Sequence, residues 1–279
     1  MKVPLRNRRL GIRVTAPERY CTGRYGFVDE IGTELVPCPA HQPAASGGQC
    51  AQCATRDEFR QAHHFHIGGS TSSALVRYMA QPHWLYIATF ADATSKVGTA
   101  AELRKRSRVD EQGAAMASYV ARTSDGKVAR NVEDAITRAL NVPQTKRRNA
   151  KVAALAAPAP RRDIAAQHAR TVGQVSELLA GWDHTAGLTP KAEPWTPPAG
   201  VDMFLDSPPA GGWARYPHDL QAGEHGFHVD ACAGPAVLAR TQPSDDATRF
   251  VIDLGGLKGL RITTGDFVSP ESMTQSALF

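Results

Sequence analysis

Four cysteines and one stretch of chain carry the side chains best suited to chemistry. Cys21, Cys38, Cys50 and Cys53 follow the spacing C-x16-C-x11-C-x2-C. In "CAQC", two thiolates three positions apart can grip one tetrahedral ion from a single knuckle, and the two more distant thiolates complete a Zn–S4 set. Cys-x-x-Cys is also a redox motif, but this one sits in a Gly/Gln-rich loop rather than at the strand-to-helix turn of a βαβ unit. The reading is a structural zinc; the alternative is four reduced cysteines without a ligand. Four thiolates leave no open position, so such a zinc would staple the N-terminal segment rather than react. It would also set a basic arm (Arg6, Arg8, Arg9, Arg13, Arg19, Arg24) against a partner. "HHFH" (His63, His64, His66) offers a substitute for one cysteine or, more plainly, surface or half-buried histidines. Cys232 lies in an apolar run and reads as a buried filler.

The stretch is "WLYIATFADATSKVGTAAELRKR", residues 84–106. It offers a tyrosine, a lysine and an arginine in strand, strand, helix order, with bases at Arg104, Lys105, Arg106 and Arg108. A guanidinium beside a sheet stabilises charge on the non-bridging oxygens of a phosphodiester, and tyrosine or lysine can orient the phosphate or activate water. The plain alternative is a hairpin with a solvated basic helix behind it, Arg106 pairing with Glu102 at i,i+4.

The elements that must position these groups follow from pattern. "WLYIATF" reads as a strand, "ADATS" as a turn and "KVG" as a short second strand. Thr99 and Glu102 fit a capping box, which predicts a helix from about Ala100 to Val109. "AAMASYVART" reads as a third strand, and "VARNVEDAITRAL" as a helix with Val128, Val132, Ala135, Ile136, Ala139 and Leu140 on one stripe. Glu133 falls at the edge of that stripe, a place for a ligand or equally for a surface carboxylate. "SSALVRYMA" and "DIAAQHARTVGQVSELLAGW" read as helices, "NVPQTKRRNAKVAALAAPAPRR" as a basic, then Ala/Pro-rich linker, and "TPKAEPWTPPAG" as a proline-rich connection. From about Phe227 to Phe267, short apolar runs alternate with turns, as in a small antiparallel β module.

The order "LYIATF", "KVGTA", an arginine eight positions after the glycine, then a glutamate on a later helix resembles the GIY-YIG nuclease superfamily. That resemblance implies a three-stranded sheet flanked by helices, with tyrosines from the first two strands, an arginine on the first helix and a metal-binding glutamate around the scissile phosphate. Carried over, Tyr86 is the first-motif tyrosine, Val97 and Gly98 end the second motif, Arg106 is the helix arginine and Glu133 is the candidate Mg²⁺ ligand. Lys96 stands where the second tyrosine would be, and Asp110 where a His or Tyr often follows the arginine. A lysine keeps phosphate binding but makes a poor base unless burial lowers its pKa. Most of the chain also resembles the bacterial and archaeal family of domain of unknown function 2797, through "RYCTG", "VPCPA", "GGQCAQC", "WLYIA", "KVGTA", "EQGAAMA" and "CAGPAVLA" with "FVIDLGGLKG".

The expected fold class is α+β: a zinc-stapled segment over 1–66, a GIY-YIG-like α/β domain over 67–145, a linker and helix over 146–200, and a C-terminal β module over 201–279. The 279 residues, 42% hydrophobic and 21% charged, support a core. Net charge is +5 and unevenly spread. From Ala101 to Lys151 there are 12 Lys/Arg against 6 Asp/Glu; from Asp202 to Phe279 there are 5 against 10. A basic middle suits DNA or RNA phosphate, or else is a solvated helix face. No apolar run reaches ~18 residues and the start lacks an apolar signal core, so a cytoplasmic location without a membrane span is expected. There is no P-loop, dinucleotide fingerprint or Ser/His/Asp arrangement. The functional expectation is nucleic-acid backbone binding, with metal-dependent phosphodiester cleavage by Tyr86, Lys96, Arg106 and Glu133. The alternatives are a non-catalytic zinc-stapled binding module and a scaffold that recognises partners through its acidic β module.

Overall fold

A computed structural model describes residues 5–28, 32–44, 48–68, 71–183, 187–244 and 246–271, the side chain of His63 excepted. The N-terminal part holds β1 (Arg8–Arg19), β2 (Arg24–Val28), β3 (Gly32–Val36), α1 (Ala51–Thr55) and α2 (Ser73–Ala80). The middle holds β4 (His83–Thr89), β5 (Ser95–Ala101), α3 (Lys105–Asp110), β6 (Met116–Thr123), α4 (Gly126–Leu140), α5 (Arg148–Ala156), α6 (Arg161–Ala180) and β7 (Leu188–Pro194). The last part holds α7 (Asp202–Leu205), β8 (Ala214–Arg215), β9 (Gly223–Ala233), β10 (Ala236–Arg240), β11 (Arg249–Asp253) and β12 (Leu260–Thr264). The class is mixed α+β with several antiparallel sheets.

The central sheet has the order β5-β4-β6-β7 and is antiparallel throughout. Every residue of β4 is buried, because both faces of the strand are covered. Alternation by two sends Leu85 and Ile87 to one face, where Val132 and Ile136 of α4 and Val175 and Leu179 of α6 pack on them. Trp84, Tyr86 and Ala88 go to the other face, with Tyr119 and with Val109 of α3. The Asp125 carboxylate accepts from the Val128 amide at 2.8 Å and caps α4, and left-handed Asn141 (φ 54) ends it. Among the described residues no helix is long and apolar enough to cross a membrane.

Four expectations need correction. The capping box does not form. Thr99 pairs with Leu85 inside β5, Glu102 accepts instead from Arg122 Nε at 2.8 Å, and α3 starts only at Lys105. Ladder pairing in a buried sheet outweighs a local cap. The proline-rich connection supplies β7, an edge strand, where the missing amides of Pro190 and Pro194 can face outward. The linker contains helix α5 and the start of the long α6. Finally, β1 does not stay with the cysteines. It pairs with β9 and β12, so the C-terminal sheet, ordered β12-β1-β9-β10-β11-β8, is built from both ends of the chain.

Candidate functional site

The cysteine cluster forms around the β2–β3 hairpin. Cys21 precedes β2, Cys38 follows β3, and Cys50 and Cys53 flank the start of α1. Their sulfur atoms lie within 4.8 Å of one another. A tetrahedral site with Zn–S of ~2.3 Å needs sulfurs about 3.8 Å apart, so the four thiols fit a metal after slight contraction. Backbone amides already point at the sulfurs: Gly23 N and Cys50 N donate to Cys21 Sγ at 3.3 and 3.2 Å, and Cys53 N to Cys50 Sγ at 3.5 Å. Gly23 is left-handed (φ 85) and packs so tightly that a Cβ would meet Val36 O at 2.2 Å, which brings the two hairpin ends together. The amide of Gln42 leads in drawing Cys38 down to about 7, whereas burial pushes Cys53 up to about 12. Without a cation, four sulfurs this close cannot all ionise.

The histidine alternative fails for His66, whose Nε2 lies 2.9 Å from Asp134 Oδ2 on α4, and His64 is exposed. The His63 side chain lies outside the described residues. Cys232 is half-buried at the edge of an apolar cluster of the C-terminal sheet rather than fully inside. Three arginines of the basic arm face their own chain: Arg9 pairs with Asp266 at 2.6 Å, Arg13 with Glu224 at 2.5 Å, and Arg19 donates to Gly256 O at 2.9 Å.

The second cluster surrounds a hollow of about 300 Å³ at the β5 edge of the central sheet. Strand register sets Tyr86 opposite Gly98, and Ala88 opposite Lys96, on one face. A Cβ on Gly98 would stand 2.4 Å from Tyr86 Cζ, so the glycine is what lets the tyrosine ring cross β5. The Tyr86 hydroxyl is buried and has no hydrogen-bond partner among the described residues. Burial pushes it up to about 12, against the pull of the nearby Arg108 guanidinium, which favours the phenolate without meeting hydrogen-bond geometry.

Helix α4 brings Glu133 and Arg130 to the same hollow, 2.6 Å apart. The carboxylate side chain is 2% exposed, and burial raises its pKa although Arg130 opposes the rise. After α4 the chain runs along the sheet edge, with Val97 N donating to Pro143 O at 3.0 Å. Lys96 Nζ donates to Gln144 O at 3.2 Å there. Lys146 then bonds Asp92 and Thr94, and Lys151 of α5 donates to Gln112 Oε1 at 2.8 Å.

Five cations therefore line the hollow (Lys96, Arg108, Arg130, Lys146 and Lys151) against one carboxylate, Glu133. The crowding has an electrostatic cost. Burial, then repulsion from Lys151 and Arg108, takes Lys96 down to about 7, and burial with Arg108 and Lys146 takes Lys151 down to about 8. A bound anion would relieve both.

Of the four expected residues, Tyr86, Lys96 and Glu133 meet in this hollow and Arg106 does not. The Arg106 side chain is 66% exposed and lies 3.6 Å from Asp110, its i,i+4 neighbour. Asp110 also accepts from Trp195 Nε1 at 2.8 Å. Because α3 begins later than the capping box implied, the helix is phased differently. Arg108, two residues and roughly 200° further round, takes the inward position. Arg130, Lys146 and Lys151 were missed too. Lys146 and Lys151 lie in the charge run "KRRNAK", which reads as linker, and Arg130 lies in the helical stretch "VARNVEDAITRAL" off the apolar stripe.

A model of the family described as "Protein of unknown function (DUF2797)" matches residues 32–188 of this chain. The match takes in every residue of the hollow and three of the four cysteines, and it ends where β7 begins. No curated protein and no solved structure matches the chain.

Proposed function

We propose that this chain, which belongs to the DUF2797 family of proteins of unknown function, binds nucleic acid by seating a backbone phosphate in the hollow at the β5 edge. The observation that carries this reading is that five buried or half-buried cations line the hollow, of which Arg130 is paired with Glu133 and Lys146 with Asp92, while Lys96, Arg108 and Lys151 are paired with no carboxylate among the described residues. The site gathers these charges from β5, α3, α4, the following loop and α5. A phosphate accepts from guanidinium and ammonium donors together, and its charge offsets the repulsion that lowers Lys96 and Lys151. We assign the cysteine cluster to structural Zn²⁺ on its all-thiolate donor set.

Fluorescence anisotropy with a short labelled DNA or RNA strand tests the phosphate reading. Affinity should fall steeply with salt, and Arg108→Ala should weaken it at least ~10-fold, the scale of a charge-assisted hydrogen bond. Salt-independent binding, or none, would sink the reading.

A second reading, phosphodiester cleavage, is favoured by Lys96. With its pKa near neutrality, the amine can accept a proton from attacking water, while Arg108 and Arg130 stabilise charge on the phosphoryl oxygens. The likeness to the GIY-YIG arrangement supports it through Tyr86, Gly98 and Glu133, with Arg108 in place of Arg106. The Mg²⁺ part of that likeness fits less well. Among the described residues Glu133 is the one carboxylate lining the hollow, is already paired with Arg130 and is ringed by cations, a weak donor set for a divalent ion. Nicking that survives EDTA and is lost in Lys96→Met would support cleavage; intact strands after prolonged incubation with or without Mg²⁺ would leave binding alone.

A further inference from the structure

A second cavity, of about 350 Å³, adjoins the cationic hollow. Thr99, Arg108 and Arg130 line both, so the two are compartments of one groove divided by two guanidinium groups. Their chemistry differs. The hollow is walled by cations, whereas the second cavity is walled by the rings of Tyr25, Phe59 and Tyr78. Phe59 is held at 6.2 Å from Tyr25 and 5.2 Å from Tyr78, centroid to centroid, the latter edge-on. Tyr25 is 44% exposed at the mouth. Polar edges are supplied by Thr33, Glu111 and Arg104, whose Nη2 bonds Glu111 at 2.6 Å.

We propose that this cavity receives an unpaired nucleobase whose own phosphate occupies the cationic hollow, so that the protein selects single-stranded nucleic acid over duplex. The inference rests on the phosphate reading above and adds the substrate class. A π-walled compartment with polar edges, one guanidinium away from a phosphate site, matches the order base, sugar, phosphate along a strand. Base-on-aromatic stacking is the common means by which proteins hold single strands, and it tolerates any sequence. A paired base is locked in its stack and cannot enter a concave site without being extruded.

The zinc cluster gains a purpose here. Tyr25 and Thr33 lie on the hairpin whose two ends carry Cys21 and Cys38, and Phe59 follows α1, the helix capped by Cys50. The metal would fix the aromatic wall against the cationic one.

The test uses the full chain, metal-loaded, and four probes: a 12-nucleotide single strand, the same strand made abasic, the corresponding duplex, and a mononucleotide. The single strand should bind about 10-fold tighter than the abasic strand and the duplex, the scale of one stacked base. Tyr25→Ala should bring the single strand to the abasic level and leave the abasic strand unchanged. Tyr25→Phe should restore binding, which separates stacking from a folding defect. Equal binding of single, abasic and duplex probes would overturn the base pocket while leaving the phosphate reading intact. Failure of every probe to bind would remove the phosphate reading and this inference together. A mononucleotide that binds as tightly as the strand would overturn the strand specificity, because the site would then serve a free nucleotide.

Discussion

The two clusters are mirror images in charge. Around the β2–β3 hairpin four thiols converge, each a potential anion. At the β5 edge five cations converge on one carboxylate. Each arrangement is electrostatically incomplete alone, and burial pushes Cys53 up to about 12 and Lys96 down to about 7, with repulsion from Lys151 and Arg108 adding to the latter. They differ in what is built around the charge. The sulfurs close on one another and leave no face for a substrate, whereas the cationic hollow opens beside a second, aromatic cavity. A closed cluster is suited to holding the chain and an open one to holding a ligand.

The largest expected effect breaks the first half of that comparison. If the cysteines hold zinc as proposed, stripping it with a chelator should remove a contribution of about 10 kcal/mol, by analogy with structural zinc sites, and Cys53→Ser should remove part of it. Local unfolding should start around the cysteines and α1, where the packing is the cysteines themselves and Ala44, and spread to the hairpin, which is otherwise held by Phe27 and Tyr25 against Phe59 and Tyr78. The central sheet has an apolar core on both faces and should survive. Hydrogen exchange resolves the two: loss of protection at 20–67 with β4 to β6 unchanged is the expected pattern, and uniform loss would show that the metal staples the whole fold.

The next effect separates ligand charge from surface charge in the second cluster. Arg108→Ala should cost roughly 1.5–3 kcal/mol of nucleic-acid binding, a factor of about 10–100. Arg106→Ala should cost a few-fold at most, since that side chain is exposed and pairs with Asp110 within its own helix. Equal losses would mean that the bases of α3 act as a diffuse patch and that the hollow is incidental.

That pair of mutants also marks how far the sequence could be read. The cysteine cluster was legible because its ligands come in a local knuckle whose spacing follows directly from tetrahedral coordination. The strands around Tyr86 and the helix carrying Glu133 were legible from apolar periodicity. The arginine was not. Its identity depends on the phase of α3, and the phase depends on whether Thr99 caps a helix or pairs with Leu85, a competition decided by the rest of the sheet. Lys146 and Lys151 were hidden for a related reason. Their place at the site follows from Val97 binding Pro143 across the sheet edge, a contact 46 positions distant in sequence with no local signature. The joining of β1 to β9 is more remote still.

Lys96→Met probes the cost of the open cluster directly. Removing a buried, repelled cation should raise the stability of the ligand-free protein by roughly 1–2 kcal/mol, the scale of relieving a strained functional site. The same change should weaken nucleic-acid binding. The pH dependence gives a control. Between the folded value of about 7 and the ordinary 10.5, the unfolded chain holds more protons at this lysine, so its contribution makes the wild type more stable as pH rises across that window. Lys96→Met should lack that gain. Thermal melts at pH 7 and 9 check both statements; a destabilised Lys96→Met would mean that the ammonium, through Gln144, holds the sheet edge together.

The smallest effect sharpens the comparison by its sign. An anion binds best while Lys96 and Lys151 are protonated, so affinity for a nucleic-acid strand should be highest below about 7 and decline, several-fold in all, as pH rises through about 8. Metal capture at the cysteines releases protons from thiols and must strengthen over the same interval. One titration from pH 6.5 to 8.5 should therefore move the two regions in opposite directions, strand affinity down and metal affinity up. If Lys96→Met removes the decline in strand affinity, the lysine in the hollow is its source. If the decline persists unchanged, the titrating group lies elsewhere, and the anion does not sit against Lys96.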